Sequence, residues 1–314
     1  MTLATPKTLA RRLALAASAL AVGLAPAAAD GADAPLRWKF QKGETIRYAL
    51  VQKTDSKMSA GGNERGSTVD QRSDIRWVVQ DVSPEGVATM TQVIERVRVK
   101  MEAPGQPGFE YDSDAKDKAQ DSPVAKMLAP MFQALAGFEC TLTMDPRGRI
   151  QSVKIPEKTL ESLRGSLKGP LSEMFSEESM KKMITQSGLV LPEEPVEKGK
   201  GWTEESSTEA PQVGTIKTEK KYTYEGPDAK DPNLARIALD AEMTLQSKEN
   251  PEVKVSIKEQ KNSGFFLFDA AKGRIAESHI EVKMVQDVAA GPANFEQTVG
   301  NTMDMVLTPE SAAK

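Results

Sequence analysis

The chain has very few of the residues on which metal sites and disulfides depend. It contains one cysteine, Cys140, and one histidine, His279, among its 314 residues. A single cysteine excludes an internal disulfide, and a single histidine excludes the histidine-rich zinc sites of most metalloproteases. Cys140 alternates with Phe138, Leu142 and Met144 on one side of its predicted strand. This pattern predicts a buried thiol that packs as a small hydrophobic side chain.

Recognisable catalytic motifs are absent as well. The sequence has neither a Gly-x-Ser-x-Gly motif nor a glycine-rich phosphate loop before a Lys-Ser or Lys-Thr pair. His279 alternates with Glu277 and Glu281, which is typical of a solvated strand face rather than a metal site. We therefore expect no enzyme and no cofactor. A hydrolase with an unrecognised carboxylate pair stays open as an alternative, because a distance and not a sequence spacing defines such a pair.

Four aspartates in residues 112–121 resemble the start of a calcium loop. They are Asp112, Asp114, Asp117 and Asp121. An EF-hand loop needs Gly at its sixth position and Glu at its twelfth, where this stretch has Asp117 and Pro123. We therefore predict a solvated loop and no metal site.

The N-terminus has the pattern of an export signal. Lys7, Arg11 and Arg12 precede an apolar run at residues 13–25, and the small residues that follow predict cleavage near Ala29. The apolar run is too short for a stable membrane span of about 20 residues. We expect a periplasmic or secreted protein without stable membrane insertion.

The balance of charge is slightly acidic. The chain has 41 Lys and Arg residues against 45 Asp and Glu residues, a net charge of −4, and the predicted leader contributes only positive charges. Removal of the leader therefore makes the remaining chain more acidic. This balance argues against nucleic acid or an anionic membrane surface as the main partner.

Most of the chain has the period-two hydrophobicity of half-buried strands. One face of residues 234–247 consists of Ala235, Ile237, Leu239, Ala241, Met243 and Leu245. The apolar face of a second predicted strand, at residues 87–101, consists of Val93, Val97, Val99 and Met101. Hairpin turns are predicted at residues 61–63 and 289–294. Long strands with one polar face favour an antiparallel sheet.

Helical spacing replaces this pattern in two stretches. The first predicted helix lies within residues 122–137, and Pro130 inside it is expected to kink or split it. The second stretch, residues 156–188, is expected to form short pieces, because a glycine and a Gly-Pro pair interrupt it.

Two stretches of the chain contain a turn with the same sequence pattern. Residues 137–150 read GFECTLTMDPRGRI, and residues 264–275 read GFFLFDAAKGRI. When residues 104–137 are treated as a helical insertion, both turns follow a Lys-Gly pair at nearly the same distance. We predict an α+β, mainly β fold, in which two related curved antiparallel β units form a large sheet or half-barrel covered by short helices.

The expected boundaries follow from this organisation. They are a signal peptide at residues 1–29, a first β unit at 30–155 with the insertion at 104–137, a helical connection at 156–192, a second β unit at 193–308 and a disordered tail at 309–314. The sequence leaves open whether the two units merge into one sheet.

Three stretches resemble a family of exported bacterial proteins of unknown function. They are the Lys-Gly opening, the central LPEEPVEKGKGW at residues 191–202 and the turn DPRGRI. Such families often have Val-Gly-Asp-x-Trp at the centre, where this chain has EKGKGW. By architecture, the pattern also resembles periplasmic lipoprotein carriers of the LolA and LolB kind. That resemblance implies a curved antiparallel sheet closed over by helices around an acyl chain, and neither resemblance brings catalytic residues.

Methionine has a distinctive placement in this sequence. Several of the 14 methionines fall on apolar faces of the predicted helices, and methionine suits surfaces that adapt to varied apolar partners. The predicted ligand-contacting residues are Met127, Leu128, Met131, Phe132, Met174, Met180 and Met183. We predict a non-enzymatic protein that binds a lipid or another apolar ligand between helices and sheet. The main alternative is a cell-envelope scaffold with a solid core and a protein partner.

Overall fold

The computed structural model describes residues 35–115, 123–166, 176–210, 213–248, 253–290 and 293–309. The first half of this part of the chain contains β1 (Thr45–Ala60), β2 (Asn63–Val82), β3 (Ala88–Glu102), β4 (Phe109–Asp112), α1 (Pro123–Leu135), β5 (Glu139–Met144) and β6 (Ile150–Lys154). Two helices follow, α2 (Glu157–Ser166) and α3 (Glu177–Gln186). The second half contains β7 (Gly201–Ala210), β8 (Gly214–Pro227), β9 (Leu234–Ser247), β10 (Val253–Asp269), β11 (Arg274–Ala290) and β12 (Ala293–Thr308). The signal peptide predicted at residues 1–29 lies outside the described residues.

The strands form one antiparallel sheet, in the order β6-β5-β3-β2-β1-β12-β11-β10-β9-β8-β7, with β4 paired to β3 outside this path. The prediction of a mainly β fold with one large sheet and short helices is therefore confirmed. Two sets of five strands each cross the sheet in chain order and in the same direction. One set is β1, β2, β3, β5 and β6, and the other is β7 to β11. β12 joins the two sets by pairing with both β1 and β11. A duplication of one unit stays a prediction, with which this shared order agrees.

The sheet curls until its two edge strands approach each other at one end. The path contains eleven strands, and a spacing of about 4.8 Å would place β6 and β7 about 48 Å apart in a flat sheet. Instead, Nη2 of Arg149, just before β6, lies 3.4 Å from Oε1 of Glu204 on β7. The helix α3 packs against β6 and also reaches β7, where Gln186 donates a hydrogen bond to the carbonyl of Ser207. We refer to this end of the sheet as the closed end and to the other as the open end.

The closed end contains a solid apolar core. Side chains from both halves of the sheet are buried together there, including Tyr48, Leu142, Ile237 and Phe268. Trp38, from the segment before β1, lies among them with its ring 5.6 Å from that of Phe268. Such complete burial of large side chains is the main favourable contribution to folding, about 1.5–3 kcal/mol for each.

The segment before β1 also connects the two repeated turns. The backbone N–H of Trp38 donates to the carbonyl of Pro146 over 2.7 Å, and that of Lys39 donates to the carbonyl of Gly273 over 2.9 Å. Gly148 in the first turn has a φ of +90°, and a Cβ there would overlap the carbonyl oxygen of Leu189. The repeated sequence pattern therefore belongs to two turns that hold the same segment.

An aspartate shapes each of these turns. The carboxylate of Asp145 accepts the backbone N–H of Arg147 over 2.9 Å, and that of Asp269 accepts the backbone N–H of Lys272 over 2.8 Å. Asp side chains commonly accept such local backbone bonds in turns. The aspartates therefore have a structural role at equivalent corners of the sheet.

The strand β3 differs from its predicted face pattern. Its pairing with β2 shifts register between Asp74 and Ile75, so that Glu95 is an extra residue in β3. Before this bulge Met90 and Ile94 face the core, and after it Val97 does. The expectation that Val93 shares the face of Val97 is therefore wrong, because the bulge changes the alternation between them.

The helices have the predicted positions and cover part of the sheet. α1 continues through Pro130 and lies on the inner face of β3 and β4, where Phe132 is buried against Val97, Val99 and Phe109. The second predicted helical stretch forms the short helices α2 and α3. The two predicted hairpins are also present, since β1 pairs with β2 and β11 pairs with β12.

Candidate ligand-binding surface

The inner face of the sheet, which carries the core at the closed end, continues as a half-buried surface toward the open end. On β9, Ala241, Met243 and Leu245 are half-buried, whereas Glu242 and Thr244 between them are exposed. An uncovered flat sheet would expose both faces similarly. The difference indicates that the curled sheet shields its own concave side.

Apolar side chains dominate this part of the inner face. They are Met243, Leu245, Val253, Val255, Ile257, Val282, Met284, Phe295 and Val299, all half-buried. None of them belongs to the two buried clusters or packs against them in the described part of the chain. The described helices pack mainly against β3, β4 and β6. We refer to these residues, together with the polar side chains between them, as the inner wall.

Uncharged polar side chains interrupt the apolar residues of the inner wall. They are Gln52, Thr54, Ser56, Gln260, Asn262, Gln286, Gln297 and Asn301. Several of them pair across strands, since Asn301 Nδ2 donates to Thr54 Oγ1 over 2.8 Å and Gln286 Nε2 donates to Gln297 Oε1 over 3.0 Å. The inner wall is therefore amphiphilic rather than purely apolar.

Asn262 is the most deeply buried polar residue of the wall, with 8% of its surface exposed. Its Nδ2 donates to Gln260 Oε1 over 3.0 Å and to the carbonyl of Ala241 over 3.2 Å. Its Oδ1 is buried and accepts no hydrogen bond within the described residues. An unpaired buried acceptor costs about 1–3 kcal/mol, so a donor that reaches this oxygen would be favoured.

The wall divides next to Asn262. The pairing of β9 with β10 stops at Ala241 and Asn262, although β9 continues to Ser247 and β10 begins at Val253. The side chain of Gln260 replaces the next backbone partner, because its Oε1 accepts the N–H of Met243 and its Nε2 donates to the carbonyl of Met243, both over 2.8 Å. The inner wall therefore consists of two parts that diverge toward the open end.

The outer face has the opposite character, because charged side chains pair across it. Lys258 bridges Asp287 over 2.9 Å and Glu296 over 2.8 Å. On the other half of the sheet, Arg47 and Arg76 both bind Glu95. These ion pairs compensate one another on a solvated surface, where each contributes little to stability.

Charged residues of the inner face flank the wall on both sides: Arg65 on β2, which is exposed and in register with Met58 of β1, and a pair of residues on β7 and β8. Glu204 pairs in register with Lys220 on the inner face, and Lys220 Nζ donates to the carbonyl of Gln186 over 2.9 Å. Burial lowers the pKa of Lys220, and the charge of Glu204 opposes that shift. Glu204 also contacts the arginines of the first repeated turn, so its single negative charge is shared among three cations.

The structure brings three of the predicted ligand-contacting residues together on α1. Phe132 is buried, and Leu128 and Met131 are half-buried at the margin of the same cluster. Met127 also belongs to α1, and Met174 lies outside the described residues.

The two predicted residues of α3 lie elsewhere. Met180 is buried in the core of the closed end, whereas Met183 is 58% exposed. The expectation that Met183 lies on the apolar face of its helix is wrong, because Met180 and Ile184 form the buried stripe of this short helix. The predicted residues whose side chains the structure describes therefore lie in different surroundings, and the inner wall consists of residues that were not predicted as ligand contacts. A signal for it is present in the sequence: the apolar face of several alternating strands contains no charge.

The remaining residues considered in the sequence, a histidine, an aspartate and the cysteine, each have contacts that are typical of a structural role. His279 Nδ1 lies 2.6 Å from Asp304, and its ring stacks on Phe265. Asp112 binds Arg96 over 2.6 Å, and this contact lowers the pKa of Asp112. Cys140 is fully buried, as predicted, and burial raises the pKa of its thiol to about 11. No group of three His, Cys, Asp or Glu side chains in the described residues is arranged to hold a metal ion.

Comparison with known proteins assigns the chain to a family. The family of unknown function DUF6263 matches residues 85–273, more than half of the chain, so the chain belongs to this family. The resemblance to a family of unknown function is therefore confirmed. No curated protein matches the chain.

Several solved structures show a distant likeness to the chain. A structure of lipid–protein interactions in lipovitellin is 13% identical with a TM-score of 0.44, and the match covers 88% of this chain and 26% of that chain. The present chain therefore spans about a quarter of that chain's length. An outer membrane channel from Pseudomonas putida F1 is 6% identical with a TM-score of 0.23, covering 86% of this chain and 97% of that chain.

A third likeness concerns lipoprotein sorting. A putative outer membrane lipoprotein-sorting protein domain from Vibrio parahaemolyticus is 8% identical with a TM-score of 0.15, covering 85% of this chain and 87% of that chain. TM-scores this low transfer no ligand or function to the chain. Among the described helices, none has the length and apolar character needed to cross a membrane.

Proposed function

We propose that this protein is an exported, non-enzymatic carrier that binds a lipid or similar apolar molecule along the inner wall. The observation that carries the proposal is the set of half-buried apolar side chains on β9 to β12 that pack against neither core cluster. Large apolar surfaces that remain accessible in a folded protein commonly bind a ligand or a partner. The curled sheet provides the concavity that a small-molecule site requires.

The proposed position of the ligand overlaps only in part with the residues predicted from the sequence. The methionines of α3 are either buried in the core or directed to solvent. By contrast, α1 lies on the inner face with Leu128 and Met131 half-buried. The proposed site therefore combines the inner wall with the accessible side of α1.

Native mass spectrometry of the purified protein, before and after solvent extraction, tests the proposal. We expect a copurified or added long-chain lipid to bind with a stoichiometry near one. Met284→Glu places a charge on the inner wall and is expected to reduce lipid binding at least tenfold. Val285→Glu is the matched control, because Val285 is the neighbouring residue on the outer face.

The result that contradicts the proposal is a folded protein that binds no lipid or other apolar ligand. Equal loss of binding in Met284→Glu and Val285→Glu would also contradict it, provided that circular dichroism shows both variants to be folded. A specific envelope protein captured by the same surface would instead favour a scaffold function.

A further inference from the structure

We infer that the ligand of the inner wall is an uncharged amphiphile with a hydrogen-bonding head group, such as an acylglycerol or an acyl amide, rather than a fatty acid anion or a hydrocarbon. The inference rests on the proposed function and specifies the class of ligand. It follows from three features of the wall: its charge, its amides and the unpaired oxygen of Asn262.

The first feature is the lack of charge on the wall. No described inner-facing residue of the wall is Asp, Glu, Lys, Arg or His. The wall here comprises the inner-facing residues of Ala241 to Leu245 on β9, Val253 to Asn262 on β10, Val282 to Val288 on β11, Phe295 to Asn301 on β12 and Thr54 to Met58 on β1. The outward residues of the same strands include most of the local charges. An anionic head group on the wall would lose hydration without a counter-ion, which is unfavourable.

The second feature is the set of amide and hydroxyl side chains on the wall. Asn301 and Thr54 pair with each other on adjacent strands, and Gln286 pairs with Gln297 closer to the open end. A bound hydrocarbon offers these amide and hydroxyl groups no hydrogen-bond donor or acceptor. A head group with both donors and acceptors exchanges hydrogen bonds with them at little net cost.

The third feature is the buried Oδ1 of Asn262. Both of its hydrogen-bond partners, Gln260 and the carbonyl of Ala241, are bound through Nδ2, which fixes the orientation of the amide. The free group is therefore an acceptor. A hydroxyl or an amide N–H of the ligand satisfies this acceptor once a neighbouring side chain moves to admit it, whereas an ionised carboxylate has no donor to offer.

Two cations of the described residues flank the wall, and neither lies on β9, β10 or β11, the strands around Asn262. Lys220 Nζ on β8 is held by the carbonyl of Gln186 and lies opposite Glu204, a carboxylate that Arg147 and Arg149 also contact. Arg65 is exposed on β2, four strands from β10 in the order of the sheet. Among the described residues, a fatty acid anion with its carboxylate at Asn262 therefore finds no inner-facing counter-ion on these three strands.

A comparison of three ligands with the same chain length tests the inference. 1-Oleoylglycerol, oleate at pH 8 and 1-octadecene are titrated into the delipidated protein and measured by calorimetry and native mass spectrometry. We expect 1-oleoylglycerol to bind at least tenfold more tightly than either of the others. Oleate or 1-octadecene binding as tightly as 1-oleoylglycerol overturns the inference but leaves the proposed function intact. Absence of binding by all three ligands contradicts the proposed function itself.

Two variants with the same added charge sharpen the test. Val282→Lys places a cation on the inner wall beside Asn262, and Thr302→Lys places one on the outer face of the neighbouring strand. We expect Val282→Lys to raise the affinity for oleate at least tenfold relative to 1-oleoylglycerol, and Thr302→Lys to leave the ratio unchanged. An equal effect of both variants would overturn the inference, because the ligand would then sense only the net charge of the protein.

Discussion

The two ends of β10 show how one strand passes through two different environments. At the closed end Phe268 is fully buried and contacts Trp38, whereas Ile257 toward the open end is half-buried and belongs to no core cluster. The closed end contains side chains from both edges of the sheet and the segment before β1. On β9 to β12 no described helix covers the open end, whereas α1 covers it on β3 and β4. The largest share of the buried core lies at the closed end, and the inner wall is the surface left for the proposed ligand.

The largest expected effect compares a phenylalanine at each end. Phe268→Ala should lower the free energy of unfolding by about 3–5 kcal/mol, because it leaves a cavity in a close-packed core. Phe295→Ala, on the open part of β12, should cost less than about 1 kcal/mol. Urea denaturation followed by circular dichroism measures both values. Similar losses in the two variants would contradict the division between a solid and an open end.

The reactivity of Cys140 tests the closed end without a large change in packing. Burial raises the pKa of its thiol to about 11 from a usual value of 9.0, so the reactive thiolate is about 100-fold scarcer at pH 8. We expect the folded protein to react with a disulfide reagent at least about 100-fold more slowly than the urea-unfolded protein does. The rate should rise with pH, because the thiolate forms as the pH approaches the raised pKa. Rapid labelling of the folded protein would show that the closed end admits solvent.

The divergence of β9 and β10 provides a smaller test at the open end. Gln260→Ala removes both side-chain hydrogen bonds to Met243 and should lower the free energy of unfolding by about 1 kcal/mol. Hydrogen exchange of the Met243 amide should become faster. Gln246→Ala, at an exposed outward position of β9, is the control and should change neither quantity. Unchanged exchange at Met243 in Gln260→Ala would contradict the bridging role of Gln260.

The smallest expected effect concerns the ion pairs that join the two edges of the sheet. Glu204→Gln should lower the free energy of unfolding by about 0.5 kcal/mol at low salt, and the difference should vanish in high salt. Glu205→Gln changes the neighbouring exposed carboxylate and should have no measurable effect. A loss of several kcal/mol in Glu204→Gln would show that the closure depends on charge rather than on the core.

The sequence predicts local structure well and the arrangement of its parts less well. In β9, the alternation from Ala235 to Leu245 identifies the strand and its inner face, because a half-buried strand needs one apolar side. In β3, the same rule fails at Val93, because the extra residue Glu95 depends on pairing with β2. Bulges of this kind have no distinct signature in a single sequence.

The candidate site shows the same limit more clearly. The predicted methionines include Met180 in the core and Met183 in solvent, three residues apart on one short helix. Helical periodicity identifies an apolar stripe but not the surface that covers it. The inner wall arises from contacts between distant strands, so its position depends on the curl of the sheet. Only its lack of charge is visible in the sequence.

The pairing of β1 with β12 has a consequence for the order of folding. β1 and β12, the first and the last strand of the described residues, form a long ladder in the middle of the sheet, so the sheet is incomplete until β12 has been made. Contacts between residues so distant in sequence form slowly, because the intervening chain must first be ordered. During that time β1 and β11 present unpaired edges, which are templates for association with other chains. Newly made copies therefore have a period of vulnerability to aggregation that ends when the final strand closes the gap.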